Sequence, residues 1–287
     1  MKLTAIGIAV LGMCAWSFGQ GNDKAAAQNP PAGQAAGQAA AAQQGKRPPK
    51  VNSQEEFNAY KAAAALTDAA AQEKAADEFA KKFPDSELRT LLYSAVMQRY
   101  QQANDADKML ETARKVLAID ADDPSALVGV SQSLAERTRE TDLDKDQRWA
   151  ESKKDAERAL ITVDTDVPTT GYPPEQIAAF KAFVRSEAYF VLGTLSFNQK
   201  NWTDAEANMK KSIDAMPQQP DAIAVYRLAV ALDMQNKIPE ALKYADQAVD
   251  LTKDRPDSAA AKAAHAEQAR LKNYVPPAAG QTPAPKN

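Results

Sequence analysis

The sequence predicts an all-α protein built from stacked pairs of helices, and three observations carry that expectation. Seven of the eleven glycines lie in residues 1–45, and between Lys46 and Val275 only Gly129, Gly171 and Gly193 remain. That long middle section is rich in Ala, Leu, Lys, Glu, Asp and Gln, which suit helices. It lacks the glycine turns and Val/Ile-rich runs of a catalytic α/β domain. Apolar residues also recur at helical spacing in successive units: Tyr93 to Leu127 is 34 residues and Tyr189 to Val225 is 36. One helix pair cannot bury its apolar face alone, so such units must stack.

The elements follow in chain order. Lys2 gives a positive start, Leu3 to Trp16 an apolar run, and Ser17 and Gly19 are small residues before Gln20. This is the order of a secretory signal over 1–19, and the run is short for a membrane span. Cleavage after Ser17 is the alternative. A lipid anchor on Cys14 needs a small residue before the cysteine, and Met13 is large. Cys14 is the single cysteine. Its loss with the signal leaves no disulfide or thiol chemistry in the mature chain. The expected location is exported, periplasmic or extracellular. Residues 20–52 are dominated by Ala, Gln, Gly and Pro, too little apolar surface to offset ordering entropy, and are expected to form a disordered linker. The closing run Lys46-Arg47-Pro48-Pro49-Lys50 reads as a solvated charge run. The Pro/Ala-rich tail, 275–287, is expected to be disordered as well.

The helical domain is expected over 53–274. Gln54–Ala65 and Asp68–Phe83 form an opening pair, with Phe57, Tyr60 and Ala64 on one face and Ala75, Phe79 and Phe83 on the other. A unit over 90–123 follows, with Tyr93, Val96, Met97 and Tyr100, then Met109, Ala113 and Val116. The unit over 124–166 is interrupted by the charged link Glu140–Gln147; Ser152, Ala156 and Ala159 mark its second helix. Pro173 and Pro174 begin an unusually long helix ending near Gln199. In the unit 186–219, Tyr189, Leu192, Gly193 and Ser196 share a face, Asn201-Trp202 marks a turn, and Ala205, Met209 and Ser212 face inward. In the unit 222–255, Val225, Leu228, Ala229 and Leu232 are answered by Ala241, Ala245 and Ala248. An Ala-rich capping helix, 258–274, ends the array.

The aromatic, Leu-Gly, Ala, Met and Pro placements of Tyr189, Leu192-Gly193, Ala205, Met209 and Pro217 resemble the tetratricopeptide repeat (TPR) pattern. Ser196 and Ser212 stand where an aromatic and an alanine are usual. The resemblance spans roughly residues 53–272 and is closest over 186–255. It implies a right-handed helical solenoid of stacked antiparallel pairs whose first helices line a concave groove. The implied groove residues are Glu187, Phe190, Thr194, Phe197 and Asn198 in one unit, then Ile223, Tyr226, Val230, Asp233 and Met234. Leu91, Ser94, Gln98, Gln101 and Gln102 come from the unit 90–123. These residues make a neutral surface with aromatic anchors and amides, suited to an extended peptide or a partner helix. The lysines and asparagines with which some family members clamp a C-terminal carboxylate are missing. Phe190, Phe197 and Tyr226 are equally placed to pack between neighbouring helices, and the sequence leaves both roles open.

Catalytic and metal constellations do not stand out. His265 is the only histidine, short of what a zinc site or a Ser-His-acid triad needs. Asp142-Leu143-Asp144-Lys145-Asp146 has the acidic spacing of a calcium loop, but Gln147 and Lys153 occupy the places of its glycine and its bidentate acid. No cofactor or metal is expected. The net charge of −3 comes with no strongly basic face, which argues against nucleic acid as a partner. The expected function is therefore a non-catalytic scaffold of the cell envelope that holds a protein or peptide partner. The alternative is a helical enzyme or small-ligand-binding protein. Mass spectrometry of the chain from its host tests the export expectation. The mature N-terminus should fall at or near Gln20 without lipid, and a diacylated Cys14 would contradict it.

Overall fold

The computed structural model describes residues 45–274. The expected signal at 1–19, the linker before Gly45 and the tail 275–287 lie outside the described residues. Among the described residues there are eleven helices: α1 Gln54–Ala64, α2 Ala69–Lys82, α3 Leu88–Gln102, α4 Ala106–Ile119, α5 Pro124–Arg137, α6 Lys145–Thr165, α7 Pro174–Asn198, α8 Trp202–Ala215, α9 Ala222–Met234, α10 Ile238–Thr252 and α11 Ala259–Lys272.

Local sequence sets the starts. Ser53 and Glu56 form a reciprocal capping box on α1. Asp68, Asp105, Asp123, Asn201, Asp221 and Ser258 each accept from a backbone N–H of the first turn they precede. Pro124, Pro174 and Pro239 sit in first turns, where a missing N–H costs nothing. The turns inside pairs repeat. Asn104, Lys200 and Asn236 adopt left-handed φ of 56°, 58° and 59° between α3 and α4, α7 and α8, and α9 and α10. In each, the next backbone N–H returns to a carbonyl five residues back: Asp105 to Tyr100, Asn201 to Ser196, Lys237 to Leu232. This is the geometry of a Schellman close. The link from α5 to α6, where the sequence breaks its period, lacks it.

Every helix packs on the next in sequence. The odd-numbered helices also touch one another, α1 with α3, α5 with α7, α7 with α9 and α9 with α11. No comparable contact joins even-numbered helices among the described residues. The odd layer is therefore the more closely spaced of the two. The core runs as a chain of clusters between layers: Leu92, Val96, Ala113 and Val130 towards the N-terminal end, Val163, Val184 and Ala188 in the middle, Met209, Leu228 and Ala245 towards the end.

Two expectations need correction. The run at Lys46–Lys50 is not solvated throughout. Lys46 pairs with Asp120 and its N–H reaches the Val167 carbonyl at 3.1 Å. Arg47 meets Glu87 at 2.5 and 2.8 Å, and the Lys50 N–H donates to the same carboxylate at 2.8 Å. Acids at the helix ends of α3 and α4 capture the cations that composition alone assigned to water. The inner face of α7 is also not the one read from Tyr189 and Leu192, both only half-buried. Because α7 has neighbours on two sides, Val184, Ala188, Val191 and Leu195 face α5 and α6 while Phe190, Gly193 and Thr194 are buried towards α8 and α9. A single stripe cannot describe a helix covered on both flanks. The opening pair shifts similarly: Glu56, Gln72 and Ala76 are its most buried residues, with Ala75 and Phe83 partly covered.

Gly193 marks the closest approach inside a pair. A Cβ there would lie 2.9 Å from Met209 Cε and 3.0 Å from its Sδ, so the neighbour is Met209 rather than Ala205. Gly193→Ala should stay within about 1 kcal/mol of the native protein, since helix propensity offsets displacement of a flexible methionine end. Gly193→Leu should lose about 1–3 kcal/mol to overpacking. Thermal melts compare them, and a Leu variant as stable as the Ala variant would contradict the packing of α7 on α8.

Candidate functional site

The odd layer carries the most unusual side-chain arrangement among the described residues, where α5, α7 and α9 meet. Three elements supply it. The last turns of α5 place Gln132 and Glu136, with the Gln132 amide donating to Glu136 at 3.3 Å. The middle of α7 gives Glu187, Phe190 and Thr194, one helical turn apart. The start of α9 gives Asp221 as N-cap, bound by the N–H groups of Ile223 and Ala224 at 2.8 and 2.9 Å, and then Arg227.

Arg227 is fixed from two sides. Its guanidinium donates to the Thr194 hydroxyl, and it lies 5.2 Å from the centre of the Phe190 ring and 5.9 Å from Phe197. A guanidinium over aromatic faces is held by the ring quadrupole, more strongly where water is displaced. Burial lowers its pKa, while Glu136 and Asp221 act in the opposite sense. Phe197 in turn packs edge-on against Trp202 at 5.3 Å.

The acids are poorly compensated. Burial, with the negative charges of Asp221 and Glu136 adding to it, pushes the Glu187 carboxyl up to about 8. Glu136 is also raised, chiefly by burial, with Gln132 and Arg227 resisting. Glu136 is exposed and Glu187 half-buried, so both keep accessible surface despite this crowding. By contrast, the Glu206 carboxyl on the even layer is held down to about 2, because Lys210, Lys237 and Gln235 outweigh its burial.

The residues singled out from sequence divide into three sets. Phe190, Thr194 and Asp233 are buried at 6%, 1% and 2% exposure and act in packing or pairing. Phe197, Tyr226, Val230 and Met234 are half-buried, and Asn198 is exposed, all on the odd layer. Asp233 is paired with Arg270 of α11, which also binds Glu267 at 2.9 Å, so the capping helix covers that end of the face. In α3, Leu91, Ser94 and Gln98 are half-buried and Gln101 and Gln102 exposed. The expectation of a neutral surface is corrected: sequence reading left out Glu136, Asp221 and Arg227. Glu136 lies in the interrupted unit, whose register was hardest to place, and Asp221 reads as nothing more than a helix cap.

Other features are less suited. A depression of about 450 Å³ beside α6 and α7 is lined by Asp164, Tyr172, Lys181 and Arg185, but Arg185 and Lys181 converge on Asp164, at 2.6 and 3.5 Å. Asp142 accepts from the Arg139 N–H at 2.8 Å, and His265 is exposed on α11. Among the described residues, no group of three or more His, Cys, Asp or Glu is arranged to hold a metal ion, and no helix is long and apolar enough to cross a membrane. No family model matches the chain, and no curated protein matches it.

The electrostatics give a signed expectation. A carboxyl raised from 4.5 to about 8 holds its proton in the folded state across that window, where the unfolded chain has released it. Stability therefore falls as pH rises through the window. Glu187→Gln should melt like the native protein near pH 5 and above it near pH 9. Equal melting temperatures at both values, followed by scanning calorimetry, would show that Glu187 is not desolvated.

Proposed function

We propose that this chain is a non-catalytic binding scaffold of the cell envelope, a TPR-like right-handed array whose odd-layer groove holds a protein or peptide partner. The observation that carries the reading is the meeting of α5, α7 and α9. There, aromatic rings, an anchored guanidinium and under-compensated acids share one accessible face made by three successive units. Such a face offers buried anchors, a polar rim and an extended track, the requirements of peptide recognition.

Two further observations support the repeat assignment. The left-handed turn recurs inside three pairs at Asn104, Lys200 and Asn236. Contacts between odd-numbered helices, as in α5 with α7 and α7 with α9, favour the odd layer as the inner face of such an array. The order of residues over 1–19, which reads as a secretory signal, favours the envelope location. The half-buried Gln98 and the exposed Gln101 and Gln102 of α3, with the exposed Asn198, continue the polar lining away from the charged centre.

Site-specific photocrosslinking in the host tests this. A photoreactive residue at Phe197 or Met234 should give a discrete protein adduct. One at Ile161, 62% exposed on α6 of the even layer, should give none. Adducts independent of position, or none from the odd layer, would contradict the scaffold reading.

A further inference from the structure

We propose that the depression between the end of α6 and the start of α7 binds a small organic acid, a single carboxylate carried on a compact apolar body. The inference goes beyond the scaffold reading and uses none of the residues on which that reading rests.

The first argument is where the depression comes from. α6 has 21 residues and α7 has 25, whereas the other nine helices among the described residues have 11 to 15. A pair in this array therefore packs without the first turns of α7, which begin at Pro174. The connection 166–173 is pinned rather than loose. Val167 is 4% exposed and packs with Val163 and Val184, and its carbonyl accepts from the Lys46 N–H at 3.1 Å. The extra turns and the pinned connection border a depression of about 450 Å³. That volume lies within the range of small-ligand sites, roughly 300–1,000 Å³.

The second argument is charge. Lys181, Arg185 and Asp164 line the depression, so one positive charge is left over, and the neighbouring acids Asp166 and Glu175 do not line it. Arg185 meets Asp164 at 2.6 Å through one nitrogen of a guanidinium that has other N–H donors. Lys181 is less well served. Its side chain is 8% exposed, yet its ammonium lies 3.3 Å from the Asp164 carbonyl oxygen and 3.5 Å from the carboxylate. Both distances exceed the ordinary N–H···O range of about 2.7–3.2 Å. Burying an ammonium is costly unless it is closely bonded. A second carboxylate would give Lys181 and Arg185 short charge-assisted bonds and balance the remaining charge. A dianion would overshoot that balance beside Asp164.

The third argument selects an organic acid. Pro174, Ile177 and Ala178, with Tyr172, supply an apolar wall to the same depression. Inorganic anions gain nothing from such a wall, whereas an apolar body laid on it leaves water as its carboxylate meets the cations.

The experiment titrates the exported chain with phenylbutyrate, hexanoate, indolepropionate and N-acetylphenylalanine, and with their uncharged amides, followed by methyl NMR. The acids should shift the Ile177 methyl signal and leave those of Ile213 and Ile238, which pack in the cluster towards α9 and α10. Replacing the acid by its amide should weaken binding about tenfold or more, as should Arg185→Gln or Lys181→Met. Asp164→Asn removes the competing carboxylate and should tighten binding. Lys153→Gln, exposed on α6, changes net charge as much as either cation variant and should leave binding unchanged. Circular dichroism checks folding, and the half-buried Arg185 variant carries the test if Lys181→Met does not fold. Failure of every acid to move Ile177 at millimolar concentration, equal binding of acids and amides, preference for inorganic phosphate, or weaker binding in Asp164→Asn would overturn the proposal. A hexapeptide ending in a free phenylalanine carboxylate that binds about tenfold more tightly than N-acetylphenylalanine would also overturn it, by making the ligand a peptide end. None of these results bears on the odd-layer crosslinks, so the scaffold reading stands or falls separately.

Discussion

A helix pair such as α7 and α8 has two flanks and covers neither of them by itself. Val191 and Leu195 find their cover on α5 and α6, and Phe190 finds it on α9. Each unit is therefore stable because of the next, and the chain of clusters from Leu92 to Leu271 replaces a single central core. Small residues make the close contacts possible. Ala113, Ala156, Ala205, Ala241 and Ala245 are fully buried, and Gly193 admits Met209 where a Cβ would crowd it. The same constraint explains why α11 is rich in alanine. It covers the last pair, with Arg270 paired to Asp233 of α9.

The candidate face is a by-product of that stacking. Once the odd helices sit closer than the even ones, side chains on three successive odd helices point into common space. Charges that are harmless on isolated helices then meet: Glu136 near the end of one, Glu187 in the middle of the next, Asp221 at the start of a third. On the even layer the chain balances such acids, as Lys210 and Lys237 do for Glu206. At Asp233 it supplies Arg270. At Glu187 the charges that act on the carboxyl among the described residues are those of Asp221 and Glu136.

Much of the architecture was legible beforehand. The start of the long α7 at Pro173-Pro174 was marked by residues whose preferences are local. The turn at Asn201-Trp202 was legible for the same reason. Burial was harder wherever a helix has more than one neighbour, as at Leu192 and Val191, because periodicity reports one stripe and stacking uses two. The site was only partly legible. Phe190, Thr194, Phe197 and Glu187 came from the repeat pattern, but their charged surroundings depend on α5 and on a cap residue, brought there by tertiary packing. The basic run near Lys46 was misjudged similarly, since nothing within it shows that Asp120 and Glu87 lie within reach.

The central claim is that Glu187 sits desolvated among like charges on an accessible face shared by three units. Carbon-13 NMR titration of its side-chain carboxyl, assigned by comparison with Glu187→Gln, measures this directly. The account predicts a midpoint near 8, far above the ordinary 4.5. A midpoint at or below 4.5 would mean a solvated or already paired carboxylate, and would contradict it.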